Sequence, residues 1–358
     1  MVRRVQQVPG SDERQLQQRL GTRAIAIFAG LAAFNLAAWF WAVIAFSGRP
    51  LLLSTGLLAW GFGLRHAVDA DHIAAIDNVT RKLMQDGRRP VTLGFFFALG
   101  HSTVVLIVAA LLAAGSGALK AHFDGIKAFG SLFGTIVSAS FLFILAAINI
   151  VILRGVWRSF RQLRQHGRFD AEDLDLLLSS RGFLNRIFKP VFRLVSRSWH
   201  MLPVGFLFGL GFDTATEVSL LAISAAEAAK GLSIWSVLVF PALFAAGMTL
   251  VDTADGVLML GAYEWAFLRP VRKVYYNLTI TLVSVIVAVL IGGIEAFGLL
   301  GDELALKGPL WRTLDMLNGN FNLLGFIVIG VFVASWAVSI AIYRLKGYDR
   351  LRVGTPAR

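Results

Sequence analysis

Residues 51–78 read LLLSTGLLAWGFGLRHAVDADHIAAIDN. The stretch exceeds the roughly 20 mostly apolar residues that cross the hydrocarbon layer as a helix. Its centre nevertheless carries Arg65-His66-Ala67-Val68-Asp69-Ala70-Asp71-His72. An ionisable group deep in a bilayer costs about 2.5–3.5 kcal/mol on insertion scales, so such groups mark a pathway or a site. Five of them in eight residues predict a polar site inside a membrane helix. The competing reading is a set of His–Asp hydrogen bonds that ties helices together.

Apolar runs of similar length recur on both sides. Spans are expected at 23–47, 51–78, 90–114, 126–153, 200–227, 233–262, 274–298 and 320–343. The predicted fold class is therefore all-α, a polytopic membrane protein with eight transmembrane helices. Composition agrees, with 56% hydrophobic and 16% charged residues against about 25% charged in soluble domains. The connections alternate in charge. With the N-terminus inside, the inner segments hold 27 Lys/Arg and the outer ones 6. That bias places both termini in the cytoplasm. The expected plan is a tail at 1–22, spans one to four at 23–153, a basic cytoplasmic loop at 154–199, spans five to eight at 200–345, and a tail at 346–358. Within the loop, Phe169 to Leu178 is acidic between basic flanks, and reads equally as a surface helix or a regulatory loop. The net charge of +12 does not point to nucleic acid, because the basic residues flank apolar runs. No cysteine is present, which excludes disulfides, thiolate metal sites and thiol nucleophiles.

Three further clusters lie inside apolar runs. His101 sits in span three, beside Ser102 and Thr103. Span five holds Asp213 and Glu217, at i and i+4. Span six holds Asp252 and Asp255, at i and i+3. On a regular helix His66, Asp69 and His72 cover an arc of about 120°, with Asp71 to one side. Two imidazoles and one or two carboxylates on one face suit a borderline metal such as nickel, cobalt or zinc. Six carboxylates in these clusters face one nearby Arg, Arg65. Paired carboxylates in hydrocarbon need protons or cations. Asn35, Asn149 and Asn277 read as interhelical hydrogen bonds, and Glu227, Glu264 and Glu295 as solvated span ends.

Gly63-Leu64 precedes the span-two cluster as Gly209-Leu210 precedes Asp213. Phe97-Ala98-Leu99-Gly100 is echoed by Phe244-Ala245-Ala246-Gly247. An offset of three spans gives the pattern of an inverted repeat of spans 2–3 and 5–6, a plan that places binding sites at the repeat interface.

At these residues the chain resembles the nickel/cobalt permease (NiCoT) family. The resemblance rests on four elements: Arg65 to Ile73, Leu99 to Val105, Leu210 to Glu217, and Gly247 to Asp255. It implies eight spans and uptake of Ni²⁺ or Co²⁺ through the cytoplasmic (inner) cell membrane. It also implies that His66, Asp71 and His72 are essential. On this reading His66, Asp69, Asp71, His72 and His101 bind the metal. Asp213, Glu217, Asp252, Asp255 and Arg65 support it or carry protons. The expected partners are a divalent transition-metal ion and the lipid bilayer; no nucleic acid and no resident cofactor is expected. No phosphate loop GxxxxGK[ST] and no HExxH occurs, so the chain reads as a secondary transporter and not an enzyme. Competing readings are an exporter of a related family and a membrane protein that binds metal without moving it.

Overall fold

The computed structural model describes residues 9–114, 117–166, 195–211, 215–267 and 270–345. Among them every regular element is helical. In chain order these are α1 (Pro9–Ala45), α2 (Pro50–His66), α3 (Ala70–Gln85), α4 (Leu93–Ala114) and α5 (Gly117–His166). After a 3-10 turn at Ser198–His200 come α6 (Met201–Gly209), α7 (Ala215–Ala229), a single turn at Ile234–Val237, α8 (Val239–Phe267), α9 (Pro270–Glu303), α10 (Pro309–Asn318) and α11 (Phe321–Leu345).

Six segments are long and apolar enough to cross a membrane: Gly21–Ala45, Leu93–Ala114, Ala128–Gly155, Ile234–Tyr263, Leu278–Glu303 and Phe321–Ile342. Their outward faces carry large apolar side chains such as Leu36, Phe40, Leu111, Leu258, Leu290 and Val333. Water would not tolerate so broad an apolar surface; lipid does. The chain is a multi-pass membrane protein.

Two expectations about the spans need correction. The regular helix expected over 51–78 is broken: α2 and α3 meet at an angle of 50° across residues 67–69. The run expected at 200–227 is likewise divided into α6 and α7. Backbone is tolerated out of helix at membrane depth where protein encloses it. The enclosure is direct at the first break, where Gly325 of α11 presses on the Val68 backbone and a Cβ there would overlap the Val68 carbonyl oxygen.

α3 is an unusual half-span. It is strongly two-faced in polarity, yet all of Ala70 and His72 through Met84 is buried. It wedges among α5, α8, α9 and α11. Arg81 and Lys82, expected in a cytoplasmic loop, are instead 1% and 3% exposed. Their partners lie within the protein: Arg81 donates to Asn78 Oδ1 at 3.1 Å, and Lys82 Nζ to the Val195 carbonyl at 2.6 Å.

Close glycine packing joins two helix pairs in the same manner. In the α2–α8 pair, a Cβ on Gly63 would overlap the Phe244 carbonyl. One on Gly247 would meet the Trp60 carbonyl and the Leu64 amide. In the α4–α6 pair, a Cβ on Gly205 would overlap the Phe97 carbonyl. One on Gly100 would meet the Leu202 carbonyl and the Phe206 amide. The contacts match residue for residue, with Gly205 and not Gly209 as the counterpart of Gly63, a shift of one helical turn. Side chains at these positions would force the backbones apart, which is why small residues recur at membrane-helix crossings.

The isolated polar residues divide. Asn35 donates to the Ala246 carbonyl at 3.1 Å and accepts from Trp60 Nε1 at 3.0 Å, and Asn149 donates to Asn78 Oδ1 at 2.5 Å, as interhelical bonds. Glu295 is not a solvated span end: it is buried and accepts from Ser138 Oγ at 3.0 Å. α5 continues helical to His166, inside the expected loop. Phe169 to Leu178 and the Asn277 side chain lie outside what is described.

Candidate metal centre

His66 is the last residue of α2, and His72 lies in the first turn of α3. The break between them needs no proline or glycine. Ala67, Val68 and Asp69 close it with amide bonds to the carbonyls of Gly63, Arg65 and His66. Asp69 takes the N-cap position of α3 in an extended conformation, a place aspartate favours. Its carboxylate does not cap the helix; Oδ2 lies 2.8 Å from His66 Nδ1.

His101 projects from α4 to the same point. The three rings form a nearly equilateral triangle, with centroid separations of 4.7 Å for His66–His72, 4.8 Å for His66–His101 and 4.9 Å for His72–His101. Each ring offers a nitrogen, and these atoms lie within 4.8 Å of one another. All three rings are buried, at 2%, 0% and 2% exposure. His66 Nε2 and His101 Nε2 are 3.0 Å apart. Two N–H groups cannot point at each other at that distance, so at least one nitrogen presents a lone pair.

Carboxylates surround the triangle. Glu217, from the first turn of α7, places Oε1 2.7 Å from His101 Nε2 and 3.8 Å from His66 Nε2. It sits among the converging nitrogens, closer than the supporting role expected of it. Asp252 of α8 lies 3.4 Å from His72 Nδ1 through both of its oxygens. Asp69 and Asp252 thus each face an Nδ1. A carboxylate there holds the proton on Nδ1 and leaves the Nε2 lone pair free for a metal. Among the described residues His72 Nε2 has no hydrogen-bond partner. Neither does His101 Nδ1.

The remaining predicted residues are placed as follows. Asp71 is half-buried in the first turn of α3, within electrostatic range of His66 and Asp252. Asp255 is half-buried one turn beyond Asp252 and borders a cavity of about 580 Å³ between α8, α9 and α11. Asp213 lies outside the described residues. Arg65 was expected beside the carboxylates. Its Nε instead donates to Asn322 Oδ1 at 2.8 Å.

Three participants escaped sequence reasoning. Asn322 of α11 accepts from Arg65, donates to the Arg65 carbonyl at 3.0 Å, and donates to Asp69 Oδ1. It ties the last helix to the carboxylate that orients His66. Thr216 Oγ1 lies 3.3 Å from His66 Nδ1. Phe97 packs edge-on against His72 with centroids 4.8 Å apart. Asn322 stands at the start of an apolar run, and Thr216 and Phe97 fall inside noted motifs without a role of their own, so only the three-dimensional packing reveals what they touch.

Nitrogen-rich coordination with one or more carboxylates and no sulfur suits borderline divalent ions of the first transition row. His66 and His72 lie on the two helix ends at the α2/α3 break, and Glu217 lies in the first turn of α7, so helix ends bring these side chains into the interior.

Comparison with known proteins adds an independent line. Residues 52–342 match the family model NicO, described as high-affinity nickel-transport protein. A high-affinity nickel transport protein of Cupriavidus necator is 58% identical over 327 residues, covering 91% of this chain and 93% of that protein. The nickel transporter NicT of Mycobacterium tuberculosis is 45% identical, covering 93% and 91%. The cobalt transport protein NhlF of Rhodococcus rhodochrous is 39% identical, covering 94% of each. No solved structure matches the chain.

Proposed function

The chain belongs to the family of high-affinity nickel-transport proteins, and from that premise we propose that it imports Ni²⁺ or Co²⁺ across the cytoplasmic membrane through the His66–His72–His101 centre. The observation that carries the assignment of the site is the convergence of three buried imidazoles, with nitrogens within 4.8 Å of one another, around the Glu217 carboxylate.

In this mechanism the partly dehydrated ion exchanges water for imidazole nitrogen, with Glu217 as a fourth donor. Asp69 and Asp252 orient His66 and His72 through Nδ1, and Asn322 orients Asp69. Asp71, Asp213 and Asp255 supply negative charge along the approach or carry protons. Ligating imidazoles are neutral, so binding releases protons and weakens as pH falls. A negative interior favours inward movement of a dication by about 2.3 kcal/mol per elementary charge per 100 mV. Membrane potential is therefore a sufficient driving force.

Counting α2/α3 and α6/α7 as one bent span each, the topology is eight spans with both termini in the cytoplasm. The matched glycine contacts of α2–α8 and α4–α6 support an inverted repeat, with alternating access by rocking of the two halves about the centre.

The test is initial uptake of radioactive nickel and cobalt, each competing with the other, in cells expressing the chain. His66→Ala and His72→Ala variants are run at matched membrane abundance. Uptake lost in both variants supports the assignment. Uptake retained in both overturns the ligand set, and no uptake with folded wild-type protein in the membrane overturns import.

A further inference from the structure

Below the histidine triangle, α3 carries a second polar network that the metal centre does not use. Asp77 is fully buried, and both its oxygens accept: Oδ1 from the Tyr263 hydroxyl of α8, Oδ2 from Ser284 Oγ of α9 at 2.7 Å. One turn further, the buried Arg81 guanidinium donates to Asn78 Oδ1 at 3.1 Å, and its charge acts on Asp77. Asn78 Oδ1 also accepts from Asn149 Nδ2 of α5. Four helices are tied together at one level. Arg81 is among the largest fully buried side chains, and its Nε and Nη1 lack hydrogen-bond partners among the described residues. A guanidinium kept there at such cost needs a reason.

Position supplies one. α3 rises about 1.5 Å per residue, so Arg81 sits about 13.5 Å beyond His72 on the same rod. Asp255 connects the two levels, lying within electrostatic range of both Asp252 and Asp77. A dication leaving the triangle along α3 meets carboxylates first and then a fixed positive charge. Tyr263 borders the cavity of about 580 Å³ beside Asp255, so its ring has room to swing away from Asp77.

We propose that Asp77, Arg81, Tyr263 and Ser284 form the cytoplasmic-side gate of the transport path, closed in this structure, whose opening lets the ion leave the histidine centre. The proposal rests on the transport reading and on the orientation given above. These are gating residues that touch neither the ion nor its ligands.

The absence of native cysteine provides the test. Ala74, buried on α3 between His72 and Asp77, is replaced by cysteine in the full chain. A membrane-impermeant methanethiosulfonate is applied to inside-out and right-side-out vesicles. Nickel binding to each purified protein is measured in parallel. With Ala74→Cys alone, slow labelling is expected from both sides. Adding Tyr263→Phe or Arg81→Gln should raise the rate from the cytoplasmic side by about tenfold, the scale of one hydrogen bond to a charged group. Labelling from the outside and nickel affinity should not change. Tyr263→Phe preserves ring packing and Ser284→Ala is smaller still, so these two carry the test if Arg81→Gln does not fold. Unchanged cytoplasmic labelling in variants that still bind nickel overturns the gate. An equal rise from both sides overturns it too, because that reports general loosening. Loss of nickel binding from Ala74→Cys and wild type alike is a failure of the metal-site reading instead.

Discussion

The two ends of α3 bury polar groups in opposite ways. At its start, three imidazoles and the carboxylates of Asp69, Glu217 and Asp252 crowd together, nitrogen faces nitrogen at 3.0 Å, and His72 Nε2 has no partner. Five residues beyond His72, Asp77 has a donor on each oxygen and a guanidinium close by. One cluster holds more acceptors than the protein can satisfy; the other completes its central carboxylate from its own side chains. Because an unsatisfied buried polar group is costly, the first arrangement is stable only with protons or a cation in it. The second satisfies its carboxylate without a ligand. The difference separates a cluster suited to a ligand from one that holds helices together in the closed state, although both consist of buried charge in a membrane protein.

The largest effect expected of this contrast comes from removing a ring. His66→Ala, His72→Ala or His101→Ala should lower nickel affinity of the purified protein by more than about 100-fold, beyond the 10–100-fold that outer partners of metal ligands cost. Isothermal titration on folded, detergent-solubilised protein measures it. Affinity within a few-fold of wild type in all three would place the ion elsewhere.

Glu217 sharpens the comparison next. Its Oε1 lies between His101 and His66, where a fourth donor belongs. Glu217→Gln keeps the shape and removes the charge. If Glu217 binds the ion, affinity should fall by about 100-fold; a carboxylate that only orients a ring should cost nearer tenfold. The absorption spectrum of bound Co²⁺ distinguishes the cases independently, because a change of donor alters it.

Asn322 stands one step further out. It touches Asp69, which touches His66. Asn322→Ala should weaken nickel binding by about tenfold, the lower end for outer partners, with Asp69→Asn giving an equal or larger loss. The two changes act through one chain of contacts, so the double variant should lose less than the product of the single losses. Independent, multiplying effects would remove the link between the last helix and His66.

How much of this was legible follows from what a regular helix assumes. The four polar clusters stand out because charge in an apolar run has few explanations, and the structure brings His66, His72, His101, Glu217 and Asp252 from them together. The face arithmetic over 66–72 was less informative, since it assumes an unbroken helix and the chain breaks at 67–69. The rings still meet because the two half-helices point their ends at one another. The hint of the break was Asp69, a residue that favours helix starts, but Asp71 two residues on made it read as one of a cluster of ligands. Arg81 and Lys82 followed the rule that basic residues mark cytoplasmic loops. They escape it because α3 is enclosed by protein, where Lys82 donates to the Val195 carbonyl and Arg81 to Asn78. The Phe97–Gly100 and Phe244–Gly247 half of the expected repeat coincides with close glycine contacts. The other half was misaligned by a turn, because Gly205 and Gly209 are both small and only packing tells them apart.

The smallest effect belongs to the self-contained end of α3 and decides whether the two clusters are separate. Ser284 gives Asp77 one of its hydrogen bonds. Asp77 lies five residues past His72, about 7.5 Å along the helix axis. Asp255 reaches both levels through its charge, but sites that far apart with no hydrogen-bond partner in common combine independently within a few tenths of a kcal/mol. Ser284→Ala should therefore leave nickel affinity within about twofold of wild type, while losing a bond between α3 and α9 that should lower thermal stability. A thermal melt and a nickel titration on the same preparation give both numbers. A tenfold loss of affinity would mean that α3 transmits strain from one cluster to the other. The fastening would then be part of how the metal centre is held in shape, and the boundary drawn between the two ends of the helix would dissolve.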